Sequence, residues 1–508
     1  MGYSAVKAQE TRTTHEGGKA YHEKPELELY RLMASSLMSG DSFYETLDDR
    51  LQRFRNLVAE VLSKPGGLKL VAALTKWGRE KLYLRTTPTL LATELLLVGP
   101  RDYNYGRNAA EWAWTRGDEH LEALAYLDVI GAKRPKRFLR AVAEALNRLT
   151  EYQAVKYQRS SRTYSQRDAV KLSHPVPKDE KQSALFQWLL HGTDRRPVYV
   201  KDDDGKYAAV GETDGVNLEL LPFIAGKATE ATWEQIISDR GASKESWEAA
   251  IPVMGYMGYL RNLRNFVEHG VSEEALHLVA RILADPSKAK QFPYRYYAAL
   301  KHLPDSAPSF LRDALAEAMD ASADNLPRLS GETLLMVDLS GSMNALLSAK
   351  SEVTRVEAVA PLAGALARQG GVTTWCFATT AEQAKIPAKT PVLASMQMIS
   401  AMQNRLGGST NTGAALNRAL SGRSFDRIIV ITDGQSFDDP GAVLVKYLDE
   451  HKDCTAYHVD VAGEMYNPMP KHPRIHNAAG FSDHVLDWID AISDPDPLKK
   501  VLEYAYPS

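Results

Sequence analysis

The sequence predicts a multidomain protein in which an α-helical repeat array is followed by an α/β doubly wound domain. Three observations predict it. Apolar residues recur at helical spacing from about Leu27 to Ala323, in segments of roughly 10 to 17 residues parted by Gly, Pro or Asp. Beyond Gly331 the pattern turns to continuous apolar runs that alternate with helical stretches. The length, 508 residues, exceeds what one hydrophobic core usually organises.

In the first region the apolar stripe of an amphipathic helix falls on Leu51 to Leu62, Leu68 to Leu82, Leu121 to Ile130, Phe138 to Tyr152, Tyr256 to Val267 and Ala275 to Leu283. Many short helices with little strand signal form an α-solenoid or an irregular helical array. One interruption, Val198 to Lys201 and Tyr207 to Val210 around Asp202, Asp203, Asp204 and Gly205, predicts a β-hairpin inserted near 196–212, read as a surface insertion. Pro327 and Gly331 mark a linker. After it, Thr333 to Val337, Val372 to Phe377, Arg427 to Thr432 and Thr455 to Val461 have the composition of buried parallel strands, with helices over Val353 to Arg368 and Gly413 to Leu420 between them. The resulting organisation is a polar N-terminal segment (1–24), a helical domain (25–325) and an α/β domain (326–508).

The composition, 44% apolar and 25% charged, is that of a globular protein, and 61 basic against 64 acidic residues leave a net charge of −3. Any nucleic-acid site must therefore be a local patch. The two cysteines, Cys376 and Cys454, lie in or beside apolar runs and outside any metal-binding spacing, so they are expected as buried thiols in a reducing compartment. Met1 to Gly18 has no secretory apolar core, and the most hydrophobic stretch, Leu90 to Val98, is short and interrupted by Glu94. No membrane association and a cytoplasmic location are expected.

The first strand of the α/β domain runs into Asp338, Leu339, Ser340, Gly341, Ser342. A hydroxyl-rich loop, Gly407 to Thr412, opens a helix, and Thr432, Asp433, Gly434 end another strand. These loops converge on the carboxyl edge of the sheet, where open α/β sheets bind ligands. Two carboxylates with neutral hydroxyls make a hard oxygen site of low charge, which suits a divalent cation that keeps waters, Mg2+ above others. Asp338, Ser340, Ser342, Thr410 and Asp433 resemble the metal-ion-dependent adhesion site (MIDAS) of von Willebrand factor A domains. In that family such residues hold the metal directly or through water, and its open position accepts an acidic group from a partner. Ser409 and Thr412 flank the assigned Thr410. Catalytic motifs are missing: position 340 is Ser where a phosphoryl-transfer site would place a second carboxylate, and neither GxxxxGK[ST] nor GxSxG occurs.

Between Gly131 and His174 eleven basic residues face three acidic ones, a formal charge of +8 in a net-negative chain. They include Lys133, Arg137, Arg140, Lys156, Arg159 and Arg162, interleaved with Tyr152, Tyr157 and Tyr164. Lys and Arg neutralise phosphates and aromatics stack unpaired bases, so this segment is a candidate RNA surface; a solvated, internally paired face is the alternative. His174, before Pro175, sits where a helix should end, with its ring free to project.

Lys156, Tyr157, then Tyr164, Ser165, Asp168, Leu172, Ser173, His174 resemble the Ro ribonucleoprotein signature. Gly17 and Gly18 resemble its N-terminal double glycine, and Leu260, Arg261, Asn262, Leu263, Arg264, Asn265 its Leu-Arg-Asn-Leu block. A TROVE module followed by a von Willebrand A domain is the Ro arrangement, and the resemblance covers nearly the whole chain. It implies a ring of HEAT-like repeats closed by the A domain, which binds small Y-like non-coding RNA and single-stranded ends of misfolded structured RNA. It also implies RNA-contacting roles for Lys156, Arg159 and His174. Tyr164 stands where the family has Trp and the spacing to His174 is one residue longer, so Arg159 and Arg162 are both candidates for that arginine. The resemblance further implies RNA quality control or degradation without cleavage, with an exoribonuclease such as polynucleotide phosphorylase as a partner. A monomer that is not an enzyme is expected. The competing function is a protein adaptor that docks an acidic partner on the magnesium of the A domain.

Overall fold

A computed structural model describes residues 11–13, 17–21, 24–34, 47–98, 103–157, 163–193, 197–201, 207–212, 215–225, 232–288, 291–326, 328–347, 352–462, 467–479 and 497–507. In chain order the elements begin with β1 (Thr11–Thr13) and β2 (Lys19–Tyr21), then α1 (Pro25–Ala34), α2 (Leu47–Ser63), α3 (Gly67–Glu80), α4 (Thr86–Val98) and α5 (Tyr103–Ala113). Next come α6 (Glu119–Val129), α7 (Lys136–Leu146), α8 (Glu151–Lys156), α9 (Gln166–Ser173), α10 (Glu180–His191), β3 (Pro197–Lys201) and β4 (Tyr207–Glu212). The helices α11 (Trp233–Arg240), α12 (Lys244–Ala250), α13 (Tyr256–Glu268), α14 (Glu273–Leu283), α15 (Pro293–Lys301) and α16 (Ser309–Ser322) complete the helical region. The α/β region holds β5 (Thr333–Asp338), α17 (Arg355–Ala367), β6 (Val372–Phe377), β7 (Ala381–Gln383), α18 (Val392–Ala401), α19 (Gln403–Leu406), α20 (Thr412–Leu420), β8 (Arg427–Thr432), α21 (Pro440–Glu450), β9 (Thr455–Asp460), β10 (Ile475–Ala479) and α22 (Pro497–Ala505). Two compact units result: residues 1–64, 80–84 and 240–508, and residues 65–79 and 85–239.

In the second unit α7 buries one stripe. On α7, Phe138, Ala141, Val142 and Ala145 turn inward while Lys136 and Arg140 stay exposed. The single helix anticipated over Phe138 to Tyr152 is two. The Thr150 hydroxyl accepts the Gln153 N–H at 3.2 Å, and the Gln153 side chain accepts the Thr150 N–H, a capping box that starts α8 afresh after the turn that follows α7. The apolar run from Leu90 to Val98 lies in α4, a core helix whose buried Glu94 accepts the Tyr126 hydroxyl at 2.5 Å. Among the described residues no helix is long and apolar enough to cross a membrane. The anticipated hairpin is present as antiparallel β3 and β4, with a register shift between Val198 and Tyr199.

The first unit is built on a six-stranded sheet in the order β10-β9-β8-β5-β6-β7. All neighbours are parallel except β6 and β7. From β5 the chain steps one way to β6 and later returns to the other side at β8, so the switch point lies at the carboxyl ends of β5 and β8. Leu334 and Met336 pack in one core with Leu416, Leu420, Leu444 and Leu448 of α20 and α21, while every residue of β5 is buried, which is why that strand reads as a continuous apolar run. The short antiparallel edge strand β7 and the outer strand β10 carry no such run and were absent from the sequence reading, as were β1 and β2, which pair antiparallel. Gly18 is buried against the loop after β8: its N–H donates to the Ser436 carbonyl at 3.1 Å, and a Cβ there would fall 2.1 Å from that oxygen. The second glycine of the pair thus has a packing reason, while Gly17 is exposed and takes a positive φ of 90°.

Helix α17 is set by a second capping box. The Thr354 hydroxyl accepts the Glu357 N–H, and Glu357 Oε2 accepts the Thr354 N–H at 2.9 Å. The same carboxylate accepts Lys301 Nζ at 2.7 Å and the Tyr297 hydroxyl at 3.0 Å, so it ties α15 to the start of α17. Burial pushes this carboxyl up, but Lys301 and the Thr354 N–H outweigh it and hold it below the usual range. Glu357→Ala is expected to destabilise this unit by about 1–3 kcal/mol, and Glu357→Gln by less, in urea denaturation; equal stability of all three proteins would contradict the clasp.

Candidate functional site

Asp338, Ser340, Ser342, Thr410 and Asp433 are all buried at the carboxyl edge of the sheet. The last residue of β5 puts Asp338 there, with Oδ1 accepting the Ser340 N–H at 2.8 Å and Oδ2 accepting the Thr432 hydroxyl at 2.6 Å. Ser340 Oγ and Ser342 Oγ lie 3.3 Å apart. The Gly341 N–H donates to the Gly408 carbonyl at 2.9 Å, which joins the first loop to the hydroxyl-rich one. In that second loop Thr410 is buried and Ser409 exposed, and the Thr410 carbonyl accepts the Phe437 N–H at 2.9 Å. The structure therefore brings the five residues to one edge.

Two further charges stand there that sequence reasoning missed. Arg355, the first residue of α17, is 2% exposed and bonds Asp433 Oδ2 through Nη1 at 3.2 Å. Asp460, the last residue of β9, is fully buried and accepts the Ala462 N–H at 2.9 Å. Its signal, an acidic residue ending an apolar run, was present in the sequence; Arg355 showed only as a cation in the first turn of a capped helix. Burial, then the negative charge of Asp433, holds the Asp338 carboxyl above its ordinary range. Burial also raises Asp433, against the pull of Arg355 and Ser342. Among the described residues no three His, Cys, Asp or Glu form a metal-wrapping cluster. The edge offers instead two buried carboxylates, Asp338 and Asp433, and the hydroxyls of Ser340, Ser342 and Thr410, a donor set that fits a hard divalent cation.

The basic segment divides by burial. Lys133 and Arg140 are exposed, as are Lys136, Arg167 and Lys171 on the packed helices α7 and α9. Arg137 is half-buried, its guanidinium bonded to the carbonyls of Leu96 and Leu97 at the end of α4. Lys156 is held by Glu234 at 2.9 Å and by the Tyr152 hydroxyl at 3.0 Å. Arg134 joins Asp128 and lies over the Tyr164 ring. Arg159 and Arg162 lie outside the described residues. Arg261 is exposed on α13, in the first unit, whereas the other described cations belong to the second.

The motif from Ser165 to His174 has a local cause. Ser165 and Asp168 form the capping box of α9, with Asp168 Oδ2 accepting the Ser165 hydroxyl at 2.6 Å. At the other end His174 takes a left-handed backbone, φ 47°, its N–H closing on the Val170 carbonyl at 2.9 Å, and its side chain is exposed. Three arginines absent from the sequence reading stand in the same unit: Arg116 lies 5.1 Å over the Tyr157 ring and pairs with Asp118, Arg79 pairs with Glu119, and the pKa of exposed Arg85 is pulled down by partial burial and the charges of Arg116 and Arg79.

Comparison with known proteins places this geometry. The TROVE domain profile matches residues 225–359. The chain is 24% identical over 453 residues to the RNA-binding protein RO60 of Deinococcus radiodurans, covering 83% of this chain and 82% of that protein. The crystal structure of the Deinococcus radiodurans RO (RSR) protein superposes with a TM-score of 0.63 at 19% identity, covering 95% of this chain and 99% of that one. The fold is the one seen in that structure, a helical array joined to an open α/β domain, and residues 225–359 carry the resemblance to a TROVE domain. The chain is thus similar in sequence and in fold to the Ro protein of a bacterium.

Under the cationic surface His120 is fully buried, 2.9 Å from Gln166 Oε1, and burial pulls its pKa down to about 4. An unfolded histidine, ordinarily near 6.5, takes up its proton first as pH falls. The stability tied to neutral His120 is therefore complete above pH 6.5 and is lost progressively toward pH 4. The melting temperature of the wild type is expected to drop more steeply over that window than that of His120→Gln; parallel profiles would contradict it.

Proposed function

We propose that this protein is an RNA-binding ribonucleoprotein component that holds RNA without cleaving it. The observation that carries the reading is the exposed cationic surface of α7 and α9, with Lys133, Lys136, Arg140, Arg167 and Lys171, ending at the exposed His174. Such a surface neutralises phosphates, and an imidazole in a fixed left-handed turn is placed to contact a base or phosphate. The similarity to a relative named as an RNA-binding protein supports this. The RNA is a small Y-like non-coding RNA, together with single-stranded ends of misfolded or decaying structured RNA, and the process is RNA quality control. Lys156 and Arg137 act in this reading as supports, since their charged ends already have protein partners.

The carboxylate edge is proposed to hold a divalent cation, Mg2+ by donor type, on Asp338, Ser340, Ser342, Thr410 and Asp433. A bound cation supplies a Lewis-acid contact for an acidic group of a partner. The chain's own residues position it: the Ser340 N–H and Thr432 hydroxyl orient Asp338. This is the observation that favours an adaptor role for the α/β domain alongside RNA binding.

Fluorescence anisotropy with a stem-loop RNA carrying a single-stranded tail tests the main reading. Affinity should fall by about tenfold or more between 50 and 200 mM salt. Lys133→Ala/Arg140→Ala and His174→Ser should each weaken binding several-fold while melting like wild type, and the RNA should stay intact on prolonged incubation with magnesium. Unchanged affinity in both variants would overturn the assignment.

A further inference from the structure

Arg355 is in a place that neither helix formation nor solvation favours. It is the first residue of α17, where the positive end of the helix dipole repels a cation, and it is 2% exposed. Its side chain reaches Asp433, on the loop after β8, across 3.2 Å. At the same edge of the sheet three carboxylates, Asp338, Asp433 and Asp460, end or follow three neighbouring parallel strands, and each is fully buried. A buried carboxylate must be neutralised or paired. In a site that takes its positive charge from a divalent ion alone, the metal-free protein would leave these groups in mutual repulsion.

We propose that Arg355 is the built-in counter-ion of the metal centre, a positioning residue that pairs with Asp433 so that the α/β fold persists without metal. The inference rests on the reading of Asp338 and Asp433 as part of a cation site. It has two consequences. The guanidinium lowers the affinity for a divalent cation by placing positive charge beside the donor set. It also makes the cation a removable ligand rather than a structural one, since one carboxylate is already balanced.

The test is thermal melting and isothermal titration of the full-length protein in EDTA and in Mg2+, with wild type, Arg355→Met and Arg355→Met/Asp433→Asn. Wild type should fold in EDTA and gain a modest shift with Mg2+. Arg355→Met should melt roughly 5 °C or more lower in EDTA, gain a Mg2+ shift at least twice that of wild type, and bind Mg2+ several-fold more tightly. If Arg355→Met does not fold in EDTA, its recovery on adding Mg2+ is the same readout. The double variant, which removes both charges, should melt above Arg355→Met in EDTA and lose the enlarged Mg2+ response. A Mg2+ response in wild type that Arg355→Met does not enlarge, or no recovery of an unfolded Arg355→Met, overturns the counter-ion role. Absence of Mg2+ binding in all three proteins overturns the cation site itself.

Discussion

Burial of acidic side chains at the carboxyl ends of three neighbouring parallel strands is the constraint on which the α/β domain depends. Asp338, Asp433 and Asp460 are removed from water where the sheet switches direction, and a bare carboxylate in that setting costs several kcal/mol on the order of the usual desolvation penalty. The surrounding structure is arranged to offset it. The Ser340 N–H and Thr432 hydroxyl serve Asp338, the Gln435 N–H and Arg355 serve Asp433, and the Ala462 N–H serves Asp460. Arg355 is in turn delivered by a helix whose start is fixed by Thr354 and Glu357, and Glu357 carries the attachment of α15. One capping carboxylate thus connects helix initiation, packing of the helical region and the geometry of the edge.

The helical unit solves a different problem, how to keep many cations on a small surface without losing the fold beneath. Some are consumed internally. Arg137 caps the carbonyl end of α4, Arg148 donates to the Trp114 carbonyl, and Lys156 is paired with Glu234. Exposed cations ride on α7 and α9, and the ends of α9 are fixed by the side-chain cap at Ser165 and by the left-handed His174. A fixed frame lowers the ordering cost of binding a flexible strand, because the protein side of the contact is already in place.

Much of this was legible in the sequence because it follows from local rules. The strands β5, β6, β8 and β9 are continuous apolar runs since both faces of the sheet are covered, and the acidic residues that end β5 and follow β8 stand out against those runs. What was hidden depends on distant partners. Strand β7 has three residues at the sheet's edge, so its pairing to β6, not its composition, defines it. The break at Asn147 to Thr150 is a capping box inside an uninterrupted apolar rhythm. The split of the basic segment into structural and exposed cations depends on Leu96, Leu97 and Glu234, which lie far away in the chain. Arg355 finds its partner 78 residues on, and no spacing rule connects it to Asp433.

In the function proposed above, the second unit presents an RNA-holding surface. Ultraviolet crosslinking of RNA bound in cells, followed by peptide mapping and sequencing of the attached RNA, tests it most directly. Crosslinked peptides should come from residues 131–174, carrying structured non-coding RNA. Protein that emerges free of nucleic acid, or crosslinks confined to other parts of the chain, would rule out an RNA-holding surface on the second unit.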